Sequence, residues 1–238
     1  MPNDVFEFKR FSIKQDKCAM KVGTDAVLLG SWVNPDHFTS ILDIGTGTGV
    51  IALMLAQKSN ASITALEIDA NSFEQAGENV ANSSFKDQIK VIRNSFQDFW
   101  KQESTKFDLI VTNPPYFIDS LKSNDTNRST ARHADVLPFS ELVDGVKELL
   151  SANGIFCLIL PKKEAEIFRK MAEQKGFFLT RLMRVRNSPD KEDDKRHLMQ
   201  FELTRKDVDE RVFYIRTTDP QAYSDEYKQL TKDYYMNF

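Results

Sequence analysis

Two short stretches combine residue types and spacings that could do chemistry. One is Asn113-Pro114-Pro115-Tyr116, which follows directly on the apolar run Phe107-Asp108-Leu109-Ile110-Val111-Thr112. Two successive prolines donate no backbone hydrogen bonds and hold the chain stiffly extended, which makes poor sheet and a rigid platform. At the carboxyl end of a strand, that platform offers the Asn113 amide oxygen and the Pro114 carbonyl as two acceptors. Tyr116 adds a ring that can stack on a planar group. Transfer to a planar exocyclic amine needs this set, because acceptors on both amine protons favour a pyramidal nitrogen whose lone pair points at an electrophile. In-line positioning then does much of the work, and no side-chain nucleophile is required. The competing reading of the tetrapeptide alone is a proline turn.

The second stretch is Asp43-Ile44-Gly45-Thr46-Gly47-Thr48-Gly49, running out of one apolar segment and into another. Glycines at this spacing let the backbone turn sharply and bring main-chain N–H groups to a ligand. A dinucleotide loop is G-x-G-x-x-G; here the third glycine comes one residue early and Val50 holds that position. Glu67 follows Gly45 by 22 residues, at the end of the next strand-like run, where a carboxylate can accept both hydroxyls of a ribose. The tight loop, with Asp43 before it and Glu67 beyond, suits a cofactor with ribose and amino-acid parts and no pyrophosphate. An ordinary glycine turn and a nicotinamide-binding variant are the alternatives. Asp69 reads as the start of the following helix.

The elements that must position these residues alternate β-branched runs with amphipathic stretches, the pattern of a mostly parallel sheet. Strands are expected at 40–44, 62–68, 89–94, 107–112 and 155–160, with a helix over 50–57. Phe139, Leu142, Val143, Val146, Leu149 and Leu150 share one helical face, which predicts a helix ending at Asn153-Gly154. A second helix runs from 162 to 175, stopped by Gly176. Strand-like runs at 177–185 and 197–203 flank the polar segment 187–195 and predict an antiparallel hairpin with an exposed loop. The fold class is therefore α/β, Rossmann-like, with a mostly parallel seven-stranded sheet ending in one antiparallel strand and helices on both faces. One domain over residues 1–238 is expected, with an N-terminal arm at 1–22. The polar stretch 119–135 has no apolar periodicity and reads as a long substrate loop.

Composition excludes several function classes. The 238 residues carry 41 % apolar and 28 % charged side chains, enough for a well-buried core. With 32 Lys+Arg against 35 Asp+Glu, the net charge is −3, so a nucleic-acid partner must be held by local patches. No apolar run approaches the roughly 18 to 20 residues of a bilayer span, and the amino terminus does not read as a signal peptide. Two cysteines, Cys18 and Cys157, do not make a disulfide scaffold or a cysteine zinc site; no metal is expected, and a reducing cytoplasm fits.

The glycine loop and Glu67 resemble the first two motifs of S-adenosylmethionine-dependent methyltransferases. Asn113-Pro114-Pro115-Tyr116 resembles the catalytic motif of those acting on adenine N6, guanine N2 or glutamine N5. The segment Phe8-Lys9-Arg10-Phe11-Ser12-Ile13, with the long run from Asp16 through Lys21-Val22-Gly23-Thr24-Asp25 to Trp32, is similar to the bacterial family that makes N6-methyladenosine at position 37 of valine tRNA. The similarity extends from Phe8 to about Leu203. It implies that Lys21, Gly23 and Thr24 line the methionine end of S-adenosyl-L-methionine, with Asp43, Gly45 and Gly47 beneath it and Glu67 on the ribose. At the third cofactor motif, where many relatives carry an acid, this chain has Asn94-Ser95-Phe96; either Ser95 with main-chain groups or Asp98 reads the adenine.

An RNA partner asks for cations. Candidates gather at Lys9, Arg10, Lys14, Lys17 and Lys21, around Arg128 and Arg132-His133, and at Arg181, Arg184, Arg186, Lys195 and Arg196. Lys14, Lys17, Arg132 and Arg196 are the expected patches, although charged residues more often simply solvate a surface. Arg132-His133 suits phosphate contact better than catalysis, and Phe8 and Phe11 could stack bases or pack the arm. The leading expectation is tRNA adenine-N6 methylation. Glutamine-N5 methylation of a release factor normally comes with a helical domain ahead of the glycine loop, and only 42 residues precede Asp43. Guanine-N2 methylation of ribosomal RNA shares the tetrad. A non-catalytic RNA-binding or cofactor-sensing protein fits poorly with two intact motifs.

Overall fold

A computed structural model describes residues 4–115 and 137–238 of the chain. Its main sheet contains β3 (Ser40–Ile44), β4 (Ser62–Glu67), β5 (Ile89–Arg93), β6 (Phe107–Thr112), β7 (Leu150–Pro161), β8 (Phe178–Arg186), β9 (Arg196–Glu202) and β10 (Asp209–Tyr214). They lie in the order β10-β8-β9-β7-β6-β3-β4-β5. All neighbours run parallel except β9, which is antiparallel to both β7 and β8. The expected mostly parallel sheet with its late antiparallel strand is present. The structure adds an eighth strand, β10, on the edge beside β8.

The helices among the described residues are α1 (Thr24–Trp32), α2 (Val50–Lys58), α3 (Ala70–Ala81), α4 (Phe96–Gln102), α5 (Phe139–Leu149), α6 (Lys162–Gln174) and α7 (Asp225–Thr231). They cover both sheet faces, because each central strand is apolar on both sides and must be buried twice. One apolar cluster joins Val27, Leu28 and Leu29 of α1 and Leu53 and Met54 of α2 to Ile41, Ile63 and Leu109. The other joins Phe96 and Phe99 of α4, Leu142 and Val146 of α5 and Phe168 of α6 to Leu42, Ile110 and Phe156.

α5 ends at Leu149 rather than at Asn153-Gly154 and passes straight into β7. The expected stop lies inside that strand, where the pairing with β6 shifts register between Phe107 and Leu109. The glycine there accommodates the irregularity instead of capping a helix.

The arm forms a hairpin of β1 (Val5–Glu7) and β2 (Ser12–Lys14). Phe8 and Phe11 are buried, Phe8 against Tyr235 and Phe11 against Phe85. They pack the arm onto the chain and do not offer faces for bases. α3 reinforces this: Asn79 Oδ1 accepts from Lys14 N, and Asn79 Nδ2 donates to the carbonyls of Lys14 and Thr48, all at 2.9 Å. One side chain thus ties the arm to the glycine loop.

What the fold does for function follows from strand order. β3 lies between β4 and β6, so the segments leaving their carboxyl ends (the glycine loop, Glu67 with Ile68, and Asn113) emerge side by side. They do so where the crossovers diverge, the usual ligand crevice of an open parallel sheet. No helix among the described residues is long and apolar enough to cross a membrane.

Candidate active site

Gly45, Gly47 and Gly49 have φ values of 71°, 56° and 83°, a left-handed conformation that side chains disfavour. A Cβ at Gly45 or Gly47 would meet no heavy atom within 4 Å, so both positions open onto free space, whereas one at Gly49 would touch Ala76 of α3 at 3.6 Å. The first two glycines leave room for a ligand, and the third is required by its φ, since a Cβ there would make only an ordinary contact with α3.

Glu67 holds this loop. Its Oε2 accepts from Gly47 N at 2.8 Å, and its Oε1 accepts from the backbone N–H groups of Ile68 and Asp69, each at 2.9 Å. An ionised carboxylate has about four acceptor directions, which leaves it capacity for one further donor. Asp43 lies beneath the loop, fully buried. Its Oδ2 accepts from Thr46 Oγ1 at 2.6 Å, and Oδ1 has no partner among the described residues. Burial pushes its pKa up to about 7, with the charge of Glu67 adding to the rise and the Thr46 bond opposing it.

A cavity of about 990 Å³ runs over these strand ends, at the upper end of the usual range for ligand sites. Lys21, Gly23 and Thr24 line it at the start of α1, followed by residues 45–48, Glu67, Asn94 and residues 113–115. Of the expected cofactor residues, Lys21, Gly23, Thr24, Gly45, Gly47 and Glu67 therefore share one space with Asn113, Pro114 and Pro115, whereas Asp43 and Ser95 are not part of its lining. Asn113 Oδ1 is buried without a partner among the described residues, an acceptor held ready. Thr112 Oγ1 donates to the Ile44 carbonyl at 2.8 Å, which fixes the end of β6 beside the glycine loop.

Ser95 stands differently. It caps α4, accepting from Asp98 N at 3.0 Å while its hydroxyl donates to Asp98 Oδ2 at 2.8 Å. The pair is engaged with itself, and Asn94, Phe96 and Gln97 line the cavity at this point. Tyr116, Arg128, Arg132, His133 and the stretch 119–135 lie outside the described residues.

The residue pattern and its geometry are matched by known proteins. The model of the methyltransferase small domain family matches residues 18–167. A tRNA1(Val) (adenine(37)-N6)-methyltransferase of Bacteroides fragilis is 44 % identical over 99 % of both chains. Its counterpart in Bacteroides thetaiotaomicron is also 44 % identical, covering 100 % of this chain and 99 % of its own.

This chain belongs to that methyltransferase family.

Solved structures agree on the fold. A predicted O-methyltransferase of Agrobacterium tumefaciens aligns with a TM-score of 0.69 at 19 % identity, over 88 % of this chain and 96 % of that one. A glycopeptide N-methyltransferase complexed with (S)-adenosyl-L-methionine aligns with a TM-score of 0.56 at 12 % identity, over 77 % of this chain and all of that one.

The methyltransferase cavity also has walls from Met20, Ile68, Val185 and Ile215, to which sequence reading gave no role, and from Lys195 and Arg196, expected there only as RNA-binding cations. Met20 and Ile68 are exposed apolar side chains that both line it, and Ile68 could have been noticed as the residue after Glu67. The far wall comes from Val185, Lys195, Arg196 and Ile215. Arg196 Nε donates to Asp25 Oδ2 at 2.7 Å, joining β9 to the first turn of α1. No sequence signal connects two residues 171 positions apart.

Most of the expected cations are committed within the protein. Lys17 pairs with Glu78 at 2.6 Å and Glu74 at 3.6 Å. Arg186 and Arg184 pair with buried Asp194 at 2.7 and 3.7 Å, and Arg184 also with Glu210 at 3.1 Å. Burial opposes ionisation of Asp194, but Arg186, His197 and Arg184 together hold it below the usual carboxylate range. The segment 187–195 is thus pinned at its second root, with Ser188 and Asp194 buried, rather than wholly exposed. The Lys14 side chain is not drawn into any of these pairs.

Proposed function

We propose that the chain transfers a methyl group from S-adenosyl-L-methionine to the exocyclic N6 amine of adenosine 37 in the anticodon loop of valine tRNA. The single observation that carries this reading is Asn113 Oδ1, a buried acceptor without a partner among the described residues, in the wall of the cavity that the glycine loop also lines. The relatives named above, which act on that position of tRNA1(Val), supply the substrate.

The residues divide the work. Gly45 and Gly47 leave space for the cofactor, Glu67 accepts a ribose hydroxyl with its remaining lone pair, and Lys21, Gly23 and Thr24 face the methionine end. Asp43 acts through the loop it supports. At the adenine end the cap formed by Ser95 and Asp98 holds Asn94 and Phe96 in place, and main-chain groups there read the base edge. When bound, the cofactor supplies an electrophilic methyl on a sulfonium. Asn113 Oδ1 and the Pro114 carbonyl accept hydrogen bonds from the two amine N–H groups and turn the nitrogen lone pair out of the ring plane, while Pro115 stiffens the platform and Tyr116 stacks on the target base. The amine becomes acidic once methylated, and its proton passes to water.

Residues 1–238 act as one methyltransferase domain in this reading, with 1–22 as its arm, 119–135 as its substrate loop and 187–195 as the hairpin loop. The site of action is the cytoplasm, where tRNA is modified. Incubation of the purified protein and labelled S-adenosyl-L-methionine with unmodified total RNA, followed by nucleoside analysis and mapping, tests it. N6-methyladenosine at position 37 of valine tRNA is expected. N2-methylguanosine, or label in protein only, overturns it.

A further inference from the structure

We propose that the far wall of the cavity is a subsite for the nucleotide next to the target adenosine, and that Lys195 contacts its phosphate. The inference rests on the RNA-methylating function proposed above and adds a residue to it. The cofactor residues and Asn113 account for the part of the cavity over β3, β4 and β6. Val185, Lys195, Arg196 and Ile215 extend the same space over β8, β9 and β10. A base turned out of a loop brings its own ribose and the flanking phosphates with it, so a wall here meets the RNA strand.

The choice of Lys195 comes from its neighbours. Lys17, Arg184, Arg186 and Arg196 are each paired with an acid on another element of the fold, or with Asp194. Among the described residues Lys195 pairs only locally, with Asp193 at 2.8 Å, and the two side chains are 57 % and 67 % exposed. Such a surface pair is worth little and exchanges readily for a phosphate. Its backbone, in contrast, is fixed: Lys195 N donates to the Val185 carbonyl at 2.7 Å, and the preceding Asp194 is bound by Arg186 and His197. An ammonium held only by an exchangeable surface pair, on a pinned root, is suited to meet a phosphate in a set position. Half-buried Ile215 beside it, above fully buried Val185, adds an apolar surface that suits a sugar or base.

The test measures binding of an unmodified valine tRNA transcript between low and moderate salt, with wild type, Lys195→Ala and Lys191→Ala. Lys191 lies in the same loop and pairs with Asp190 but does not line the cavity, so it controls for charge alone. Loss of one phosphate contact lowers the slope of log affinity against log salt by about one. The expected result is that drop, with several-fold weaker binding, for Lys195→Ala only, and unchanged S-adenosyl-L-methionine affinity by calorimetry. A wild-type slope for Lys195→Ala, or an equal loss for Lys191→Ala, overturns the subsite. Failure of the wild-type protein to bind or methylate tRNA overturns the RNA reading itself.

Discussion

The backbone N–H of Gly47 donates to Glu67 Oε2 at 2.8 Å, so the acid expected to hold the ribose also holds the glycine loop in shape. Because β3 and β4 are adjacent and in parallel register up to Ile44 and Leu66, the loop leaving one strand falls against the acid ending the other. Loop conformation and the proposed ribose recognition then rest on one side chain.

Glu67→Ala removes the acceptor for three backbone donors as well as the proposed ribose contact. Charged hydrogen bonds are worth about 1.5–3 kcal/mol each, so S-adenosyl-L-methionine binding should weaken at least tenfold and the melting temperature should fall. Calorimetry and a thermal scan check this. Wild-type affinity, or preferential binding of a nicotinamide dinucleotide, would remove Glu67 from the cofactor site.

Asp43 gives stability a pH dependence. Its pKa rises from 3.8 to about 7 on folding, chiefly through burial. Below 3.8 the group is protonated in both states. Between 3.8 and 7 the folded chain keeps a proton that the unfolded chain releases, so stability falls across this window and the penalty is constant above it. At about 1.4 kcal/mol per pKa unit, the loss amounts to a few kcal/mol. Urea unfolding of Asp43→Asn from pH 4 to pH 8 should show a flatter profile than wild type. Parallel profiles would show that Asp43 does not titrate there.

Asn79→Ala should uncouple the arm from the glycine loop. The variant leaves Lys14 N and the carbonyls of Lys14 and Thr48 without their partner, at a cost of about 1–3 kcal/mol for buried unpaired groups. Lower thermal stability and weaker cofactor binding are expected together. A stability loss with unaltered cofactor affinity would confine Asn79 to packing the arm.

The legible parts of the fold were those where burial acts on both sides of an element. The expected 40–44 and 107–112 coincide with β3 and β6, because each is a mostly apolar run buried between two helix layers. The face of α5 was equally readable, since Leu142, Val143, Val146 and Leu149 all turn inward. β10 was not, because it opens with Asp209, Glu210 and Arg211, is exposed over those residues and pairs with one neighbour only. At the site, the glycine loop, Glu67 and Asn113 could be located from spacing. The commitment of Ser95 to Asp98, of Lys17 to Glu78 and of Arg196 to Asp25 could not, because hydrogen bonds and ion pairs depend on which elements the fold brings together.

The most direct measurement is single-turnover methylation of valine tRNA by Asn113→Ala with cofactor saturating. Removing one preorganised partner of the reacting amine should slow the step by roughly 10²–10³, with S-adenosyl-L-methionine affinity nearly unchanged and N6-methyladenosine still the product. A wild-type rate would contradict the account, reducing Asn113 and the two prolines after it to scaffold.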